Sequence, residues 1–404
     1  MRLARWSAAV LVAAALVAPA PASAAPTWTG SWAAAPAAGD PGLQGRGYPG
    51  YSLRNELHLS VGGSQLRIHF SNAWGTGALP LDHATVAVST GAASPAARAG
   101  SMRTLTFNGQ AKTTIAKGGE TVSDPVPMAV GAGTNLLVTT YVSADAGPVT
   151  FHSDARQTSY FTSDGTDHSA EESAAAYTQA TGSWYYVNEV DVRGGPPNSV
   201  VALGDSITDG ALSTPNTNSR WPDRLAARLN QRPAPQRHGV MNAGIGGNCI
   251  LADGTRPGGP GAWAGEKALA RLDRDVLDRT GVRTVIVVEG INDIGQNTRV
   301  SDPQLLIDGL TQIAQRAHAR GLRVIGGTMT PAPNYTGDLE YVREAVNQWV
   351  RTTHVFDGVA DFDKAVRDPQ DPHRMLPAYD SGDHLHPGDA GYQAMADAVP
   401  IAAL

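Results

Sequence analysis

Ser206 occupies a position from which a hydroxyl group could act as a nucleophile. It follows the apolar run Val200–Leu203 and lies on a turn of small and polar residues that begins at Gly204. A buried parallel strand that ends in such a turn presents the serine at the carboxyl edge of a sheet, where open α/β sheets bind ligands. The Gly-x-Ser-x-Gly elbow is absent, because Thr208 stands where its second glycine would be.

A serine hydroxyl is a weak nucleophile and needs a base, which in turn needs a third group to fix its tautomer. The last loop of the chain offers both, since Asp383 precedes His386 by three residues. A turn of that length lets the carboxylate accept from one imidazole nitrogen and leaves the other nitrogen facing the serine. His384, in the same loop, is interpreted as a turn residue or a pocket wall.

The same loop also permits a metal-binding interpretation. Asp383, His384, His386 and Asp389 together resemble a cluster of metal ligands. Neither a second Cys/His/Glu cluster with ligand spacing nor a His-Glu-x-x-His motif accompanies it. We therefore predict a site without metal or cofactor. The single cysteine, Cys249, is interpreted as a packing residue rather than a nucleophile.

Two further segments could stabilise a developing oxyanion. The glycine-rich stretch 242–248 leaves backbone N–H groups that can point at an anion, although it also suits a plain flexible turn. Asn292 carries an amide that can donate to an oxyanion, but it also suits an Asx turn. Asp205 and Asp293 are expected to brace these turns through hydrogen bonds to the backbone.

These residues lie in a region where strands and helices alternate. Repeated βα units predict a parallel sheet covered on both faces, which is a three-layer sandwich. The predicted strands are 200–203, 239–242, 285–288, 322–326 and 355–359, and the predicted helices are around 221–230, 266–278, 303–320, 339–351 and 390–399.

The region before it has a different pattern. Residues 27–192 contain many short alternating runs rich in Thr, Val, Gly and Ser, bounded by turn residues, which predicts a β-sandwich-like domain. Two glycines and two prolines in residues 193–198 indicate a linker. The second domain is then 199–404.

The amino terminus predicts export. Residues 1–24 combine two arginines, an apolar stretch and a small-residue site, which indicates a signal peptide cleaved after Ala24. The apolar stretch is shorter than the roughly 20 residues of a transmembrane helix, and no transmembrane segment is expected elsewhere. The formal net charge of −6 and the absence of basic runs argue against nucleic acid or an anionic membrane as partner. Oligomeric state is not indicated.

Four segments, in this order, resemble the SGNH or GDSL-motif hydrolase superfamily. They are Gly204-Asp205-Ser206, Gly247, Gly290-Ile291-Asn292-Asp293 and Asp383-His384-Leu385-His386. The resemblance covers about residues 198–404 and implies a flavodoxin-like α/β/α fold and ester hydrolysis through an acyl-enzyme. By position it implies Ser206 as nucleophile, His386 as base and Asp383 as its orienting group, with Ser206, Gly247 and Asn292 forming the oxyanion hole.

The sequence thus favours a secreted serine esterase, possessing no cofactor, that acts on a small-molecule or polysaccharide ester. Acetylated polysaccharides, short acyl esters and lipids all remain open as substrates, with short acyl groups favoured because no long apolar helix resembles a lipid lid. Two alternatives remain: a wall- or polysaccharide-binding protein that has lost activity, and an acyltransferase with the same catalytic residues. The Ser206/Asn292/Asp383/His386 set argues against the first.

Overall fold

The computed structural model describes residues 27–254, 264–295 and 299–404. The predicted signal peptide, residues 1–24, lies outside the described residues. None of the helices in these three ranges has the length and apolar character to traverse a bilayer.

The amino-terminal region is built from antiparallel strands, as its alternating pattern predicts. Apart from one short 3₁₀ turn, Gln44–Arg46, the regular elements described there are strands. They are β1 (Trp28–Ala33), β2 (Ala37–Ala38), β3 (Tyr51–His58), β4 (Gly63–Ser71), β5 (Leu79–Leu81), β6 (His83–Val88), β7 (Arg103–Thr104), β8 (Thr113–Ile115), β9 (Glu120–Val122), β10 (Val126–Val130), β11 (Asn135–Val142), β12 (Thr150–His152), β13 (Ser159–Phe161), β14 (Gln179–Thr181), β15 (Trp184–Tyr185) and β16 (Val187–Arg193).

Two large sheets enclose the core of this region. One has the order β1-β16-β4-β10, with β9 also paired to β4, and the other has the order β14-β13-β3-β11-β6-β7. Alternate residues of both, such as Ile68 on β4 and Leu136 on β11, are fully buried in one shared apolar cluster. Two sheets facing one core form a sandwich.

The carboxyl-terminal region alternates strands and helices. Its elements are β17 (Ser199–Gly204), α1 (Ser206–Asp209), α2 (Trp221–Asn230), β18 (Gly239–Gly244), α3 (Ala268–Leu272), β19 (Val282–Val288), α4 (Ile291–Gly295), α5 (Pro303–Ala319), β20 (Arg323–Gly327), α6 (Asp338–Thr352), β21 (Gly358–Ala360), α7 (Phe362–Val366), β22 (Arg367–Asp368), β23 (Asp371–Met375) and α8 (Asp389–Ala398). A π-helical turn, Asp273–Leu277, continues α3, and 3₁₀ turns occupy Ala234–Gln236 and Ile401–Ala403.

The five parallel strands have the order β18-β17-β19-β20-β21, which is the 2-1-3-4-5 order of flavodoxin-like sheets. Helix α2 packs with α8, while α5 packs with α3 and α6, so helices form two groups around the sheet. This confirms the predicted fold class, a three-layer α/β/α domain preceded by a β-rich domain. The strand β17 lies beside the point where the strand order reverses, and its carboxyl end carries Ser206.

The two regions share an extensive contact. Successive residues near the end of β1 face opposite cores: Trp32 and Ala34 join the β-rich core, whereas Ala33 and Ala35 join the α/β core. Backbone bonds cross the boundary as well, including Gly30 N–H to the Thr280 carbonyl at 3.0 Å. The β-rich domain therefore packs directly on the strand β18 side of the parallel sheet.

Candidate active site

Ser206 is held by a turn that only a glycine permits. A Cβ atom on Gly204 would lie 2.1 Å from Thr208 Oγ1 and 2.7 Å from the Val288 carbonyl oxygen, so the last residue of β17 must lack one. Asp205 then caps α1, its Oδ1 accepting from the Ile207 N–H at 2.9 Å. The structure places Ser206 as the first residue of that helix.

The structure brings Ser206, His386 and Asp383 together. Ser206 Oγ lies 2.8 Å from His386 Nε2, and His386 Nδ1 lies 2.6 Å from Asp383 Oδ2. A carboxylate only accepts, so Nδ1 carries the hydrogen and Nε2 is left to accept from the serine hydroxyl. This is the tautomer that a general base for Ser206 requires.

The second oxygen of Asp383 fixes the turn itself. Oδ1 accepts from the N–H groups of Leu385 and His386 at 3.0 and 2.8 Å. Burial opposes the charged form of Asp383, but the hydrogen bonds from the His386 ring and from these two amides outweigh it and lower the pKa of the carboxyl to about 2. The orienting group is therefore a carboxylate at neutral pH.

His384 is not part of the chain of contacts from Ser206 through His386 to Asp383. Its backbone is left-handed, with φ of 65°, and its Nδ1 lies 2.6 Å from Asp380 Oδ2. It lines a pocket of about 400 Å³ together with Asp380 and Gly382, as the pocket-wall interpretation predicts. Asp389 accepts from the Thr214 N–H, so the carboxylates and histidines of the loop form separate pairs and do not converge on one point.

The glycine-rich loop after β18 lies against Asn292. Gly247 has φ of 76°, a left-handed conformation that favours glycine. Asn292 is buried, and its Nδ2 donates to the carbonyl of Asn248 at 2.9 Å. Asn292 is thus hydrogen-bonded to the residue that follows Gly247, and in the described part of the chain no acceptor is found for the Gly247 N–H.

The two bracing aspartates behave as predicted. Asp205 contacts its own turn, and Asp293 accepts from the Ile250 and Leu251 N–H groups at 2.8 and 3.0 Å. Burial raises the pKa of Asp205 to about 7 and that of Asp293 to about 6. Cys249 is fully buried, and burial raises the pKa of its thiol far above the ordinary value, which agrees with a packing role.

Arg271 joins the turns of the site, and the sequence analysis did not identify it. Its fully buried guanidinium donates to the Gly204 carbonyl at 3.1 Å, the Ala243 carbonyl at 2.7 Å and Asn248 Oδ1 at 2.9 Å. Asp275, one helical turn later, balances its charge. The only sequence signal is this (i, i+4) Arg–Asp spacing, which surface helices share.

With the geometry described, the chain can be compared with known proteins. The carboxyl-terminal domain defines the class: a parallel α/β/α domain with a serine, a histidine and an aspartate in contact at the carboxyl edge of its sheet. The sequence model of the GDSL-like Lipase/Acylhydrolase family matches residues 202–394. The carboxyl-terminal domain is therefore similar to this family over those residues.

Solved structures with detectable likeness cover the same half of the chain. A protein described as lipolytic, of the G-D-S-L family, from Desulfitobacterium hafniense is 21% identical, with a TM-score of 0.39, over 51% of this chain and 99% of its own. A GDSL-like lipase from Bacteroides thetaiotaomicron is 18% identical, with a TM-score of 0.37, over 51% and 88%. An acetylxylan esterase from Geobacillus stearothermophilus, solved as a catalytic mutant, is 17% identical, with a TM-score of 0.38, over 50% and 93%. No protein of curated function matches the chain.

Proposed function

We propose that this chain, whose carboxyl-terminal domain is similar to the GDSL-like lipase/acylhydrolase family, is a serine ester hydrolase that works through an acyl-enzyme. The observation that carries the proposal is the continuous chain of contacts from Ser206 Oγ through His386 to Asp383, at 2.8 and 2.6 Å. In a family of lipases and acylhydrolases, this arrangement supports attack of a serine on an ester carbonyl.

In the first half-reaction, His386 Nε2 takes the hydroxyl proton as Ser206 Oγ bonds to the carbonyl carbon. The oxygen of the tetrahedral intermediate carries the negative charge, and the N–H groups of Ser206 and Gly247 and the Asn292 amide stabilise it. Removing one such donor typically costs about 3–4 kcal/mol of barrier. Collapse breaks the bond to the alcohol, which leaves with the proton from His386.

In the second half-reaction, water replaces the alcohol. His386 takes a proton from water as its oxygen bonds to the acyl carbon, and collapse returns the proton to Ser206 and releases the acid. Asp383 keeps its negative charge throughout and favours the imidazolium that forms twice in the cycle. An added polyol that intercepts the acyl group would divert the same intermediate to transfer.

Short acyl esters are the proposed substrates. Among the described residues, the large exposed apolar side chains are Leu43, Val122, Leu212, Leu305 and Tyr341. They come from separate segments of the chain, so none of the described helices presents several of them as an apolar lid. Residues 1–24 support the proposal of export with cleavage after Ala24.

The test is hydrolysis of an acyl chain-length series of nitrophenyl esters by wild type and Ser206→Ala. We expect the highest kcat/KM for the shortest acyl groups and no turnover by the variant. A fluorophosphonate adduct on a residue other than Ser206 would overturn the mechanism. Amino-terminal sequencing of protein from the culture medium tests export, and a mature chain that still contains residues before Ala25 contradicts the cleavage site.

A further inference from the structure

A histidine of the β-rich domain is buried against α1, the short helix that begins with Ser206. His152, the last residue of β12, places Nε2 2.8 Å from Oδ1 of Asp209, the last residue of α1. The two side chains are only 4% and 2% exposed. A titratable pair this well buried joins the two domains three residues after Ser206.

The surroundings of the ring favour its charged form. Nδ1 lies 2.8 Å from the Ala35 carbonyl oxygen, so both ring nitrogens face oxygen acceptors, and only an imidazolium donates from both. Burial opposes this charge, but Asp209 and the Ala35 carbonyl outweigh it and raise the pKa of His152. The Trp184 ring, 5.4 Å away between centroids, restricts the imidazole further.

The other oxygen of Asp209 reaches the glycine-rich loop. Oδ2 accepts from the Gly246 N–H at 3.0 Å, and Gly246 directly precedes Gly247. The approach is close, because a Cβ on Gly244 would lie 2.3 Å from the Asp209 nitrogen. One carboxylate therefore connects the carboxyl end of α1, the loop that carries Gly247, and the β-rich domain.

We infer that His152 is a positioning residue for the oxyanion hole, acting through Asp209 on the N–H of Gly246, the residue that precedes Gly247; this rests on the proposed esterase function. The Nε2–H donor of His152 holds the Asp209 carboxylate in the orientation from which Oδ2 accepts from the Gly246 N–H. Without a donor at that position, a buried carboxylate oxygen is left unsatisfied, and the carboxylate must protonate or turn away. The Gly247 N–H then loses its fixed direction.

The experiment compares two substitutions that each preserve one ring contact. His152→Gln keeps a donor at the Nε2 position, toward Asp209, whereas His152→Asn keeps a donor at the Nδ1 position, toward Ala35. We expect kcat for nitrophenyl acetate to fall about tenfold or more in His152→Asn, with little change in KM, and much less in His152→Gln. Equal kcat values, or the reverse order, would overturn the inference.

A matched control separates positioning from loss of the interface. Asn230 donates to the Ser60 carbonyl across the same domain boundary at 2.7 Å, and no hydrogen bond joins its side chain to residues 242–248 in the described part of the chain. Asn230→Ala should lower stability and leave kcat near that of wild type. A kcat loss equal to that of His152→Asn would show that weakening the domain interface explains the loss in both variants, and it would overturn the inference.

A second readout does not depend on turnover. Amide hydrogen exchange of a peptide covering 245–248 should accelerate in His152→Asn, while exchange in β20 stays unchanged. Unchanged exchange at 245–248 contradicts the inference even if the activity falls. If wild type hydrolyses no ester, the proposed function fails, and this exchange measurement still tests the contact.

Should His152→Asn not fold, the comparison moves to Asp209. Asp209→Asn keeps an oxygen for the Gly246 N–H and an amide for the ring, whereas the similarly shaped Asp209→Leu keeps neither. Retained kcat in the first and a loss of about tenfold or more in the second supports the inference. Equal kcat in the two variants overturns it.

Discussion

The Nε2 atom of His386 lies 2.8 Å from Oγ of Ser206, although the two residues are 180 positions apart. The loop that carries the histidine is held by its own backbone hydrogen bonds. Its Ser381 N–H donates to the His386 carbonyl at 3.1 Å, and its Gly388 N–H donates to the Tyr379 carbonyl at 2.7 Å. Local backbone bonds therefore help to hold the base against the nucleophile.

Ser206→Ala should abolish turnover and preserve the fold. The change removes one partly exposed hydroxyl and leaves the α1 cap on Asp205 intact. Loss of a serine nucleophile costs about 10⁴-fold or more in kcat. Nitrophenyl ester hydrolysis and thermal unfolding of the same sample measure both effects, and substantial remaining activity would exclude Ser206 as nucleophile.

The two histidines of the loop should differ sharply. His386→Ala should fall to the level of Ser206→Ala, and the double variant should be no worse, because residues that act as one unit are non-additive. His384→Ala is the matched control: its ring contacts Asp380. Its kcat should fall by less than about 10²-fold, which is the smallest loss typical of removing a general base. Similar losses in the two single variants would contradict the assignment.

The acid limb of activity should reflect a single protonation. Asp383 has a pKa lowered to about 2, so it stays ionised from about pH 5 to 8, the range over which the profile is measured. We expect log kcat/KM to fall with a slope of one toward acid pH. A flat profile across this range would mean that His386 is not the base.

Asp383→Asn should lower kcat about 10⁴-fold, because the Nδ1–H tautomer is no longer favoured.

Features that adjoin one another in the sequence could be predicted. An apolar run followed by small and polar residues indicates a strand end, which located Ser206, Gly247 and Asn292 near one sheet edge. The fifth strand is the exception: predicted at 355–359, it is Gly358–Ala360. The Phe356 ring lies under Gly326, where an added Cβ would meet it at 2.4 Å, so this apolar residue fills the core before the strand begins.

Features that depend on distant partners could not be predicted. His152 and Asp209 are 57 residues apart and belong to different domains, and neither has a local pattern that marks it as buried. The predicted helix 266–278 begins at Ala268 and becomes a π-helical turn at Asp273. Near that turn, buried Arg271 and Arg279 contact carbonyls and carboxylates elsewhere in the fold. The local periodicity of the sequence gives no sign of these contacts.

Arg271→Met should destabilise the fold and slow catalysis. It would remove the buried guanidinium that donates to the Gly204 and Ala243 carbonyls and to Asn248 Oδ1, and each buried polar group left unsatisfied costs about 1–3 kcal/mol. Urea unfolding and kcat measure the two effects. Arg274→Met is the matched control, because Arg274 also pairs with Asp275 but is 25% exposed and donates to neither carbonyl. Equal kcat in the two variants would show that Arg271 does not organise the site.

Glu289 should make stability depend on pH. It follows β19 and is buried, and neither carboxyl oxygen has a hydrogen-bond partner in the described part of the chain. Burial, followed by the nearby Asp205, raises its pKa well above the ordinary value. The folded protein keeps this proton at a pH where the unfolded chain has lost it. Stability therefore falls as pH rises above the unfolded pKa, by up to about 1.4 kcal/mol per pH unit, until the folded pKa is reached.

Glu289→Gln has nearly the same shape and no proton to lose, so it should remove this dependence. We expect the variant to gain stability over wild type in urea unfolding at about pH 8.5, and to gain far less at about pH 5. Glu344→Gln, at a side chain that is 57% exposed, is the control and should show no such divergence. If the difference between Glu289→Gln and wild type is the same at both pH values, then Glu289 is not protonated in the folded protein.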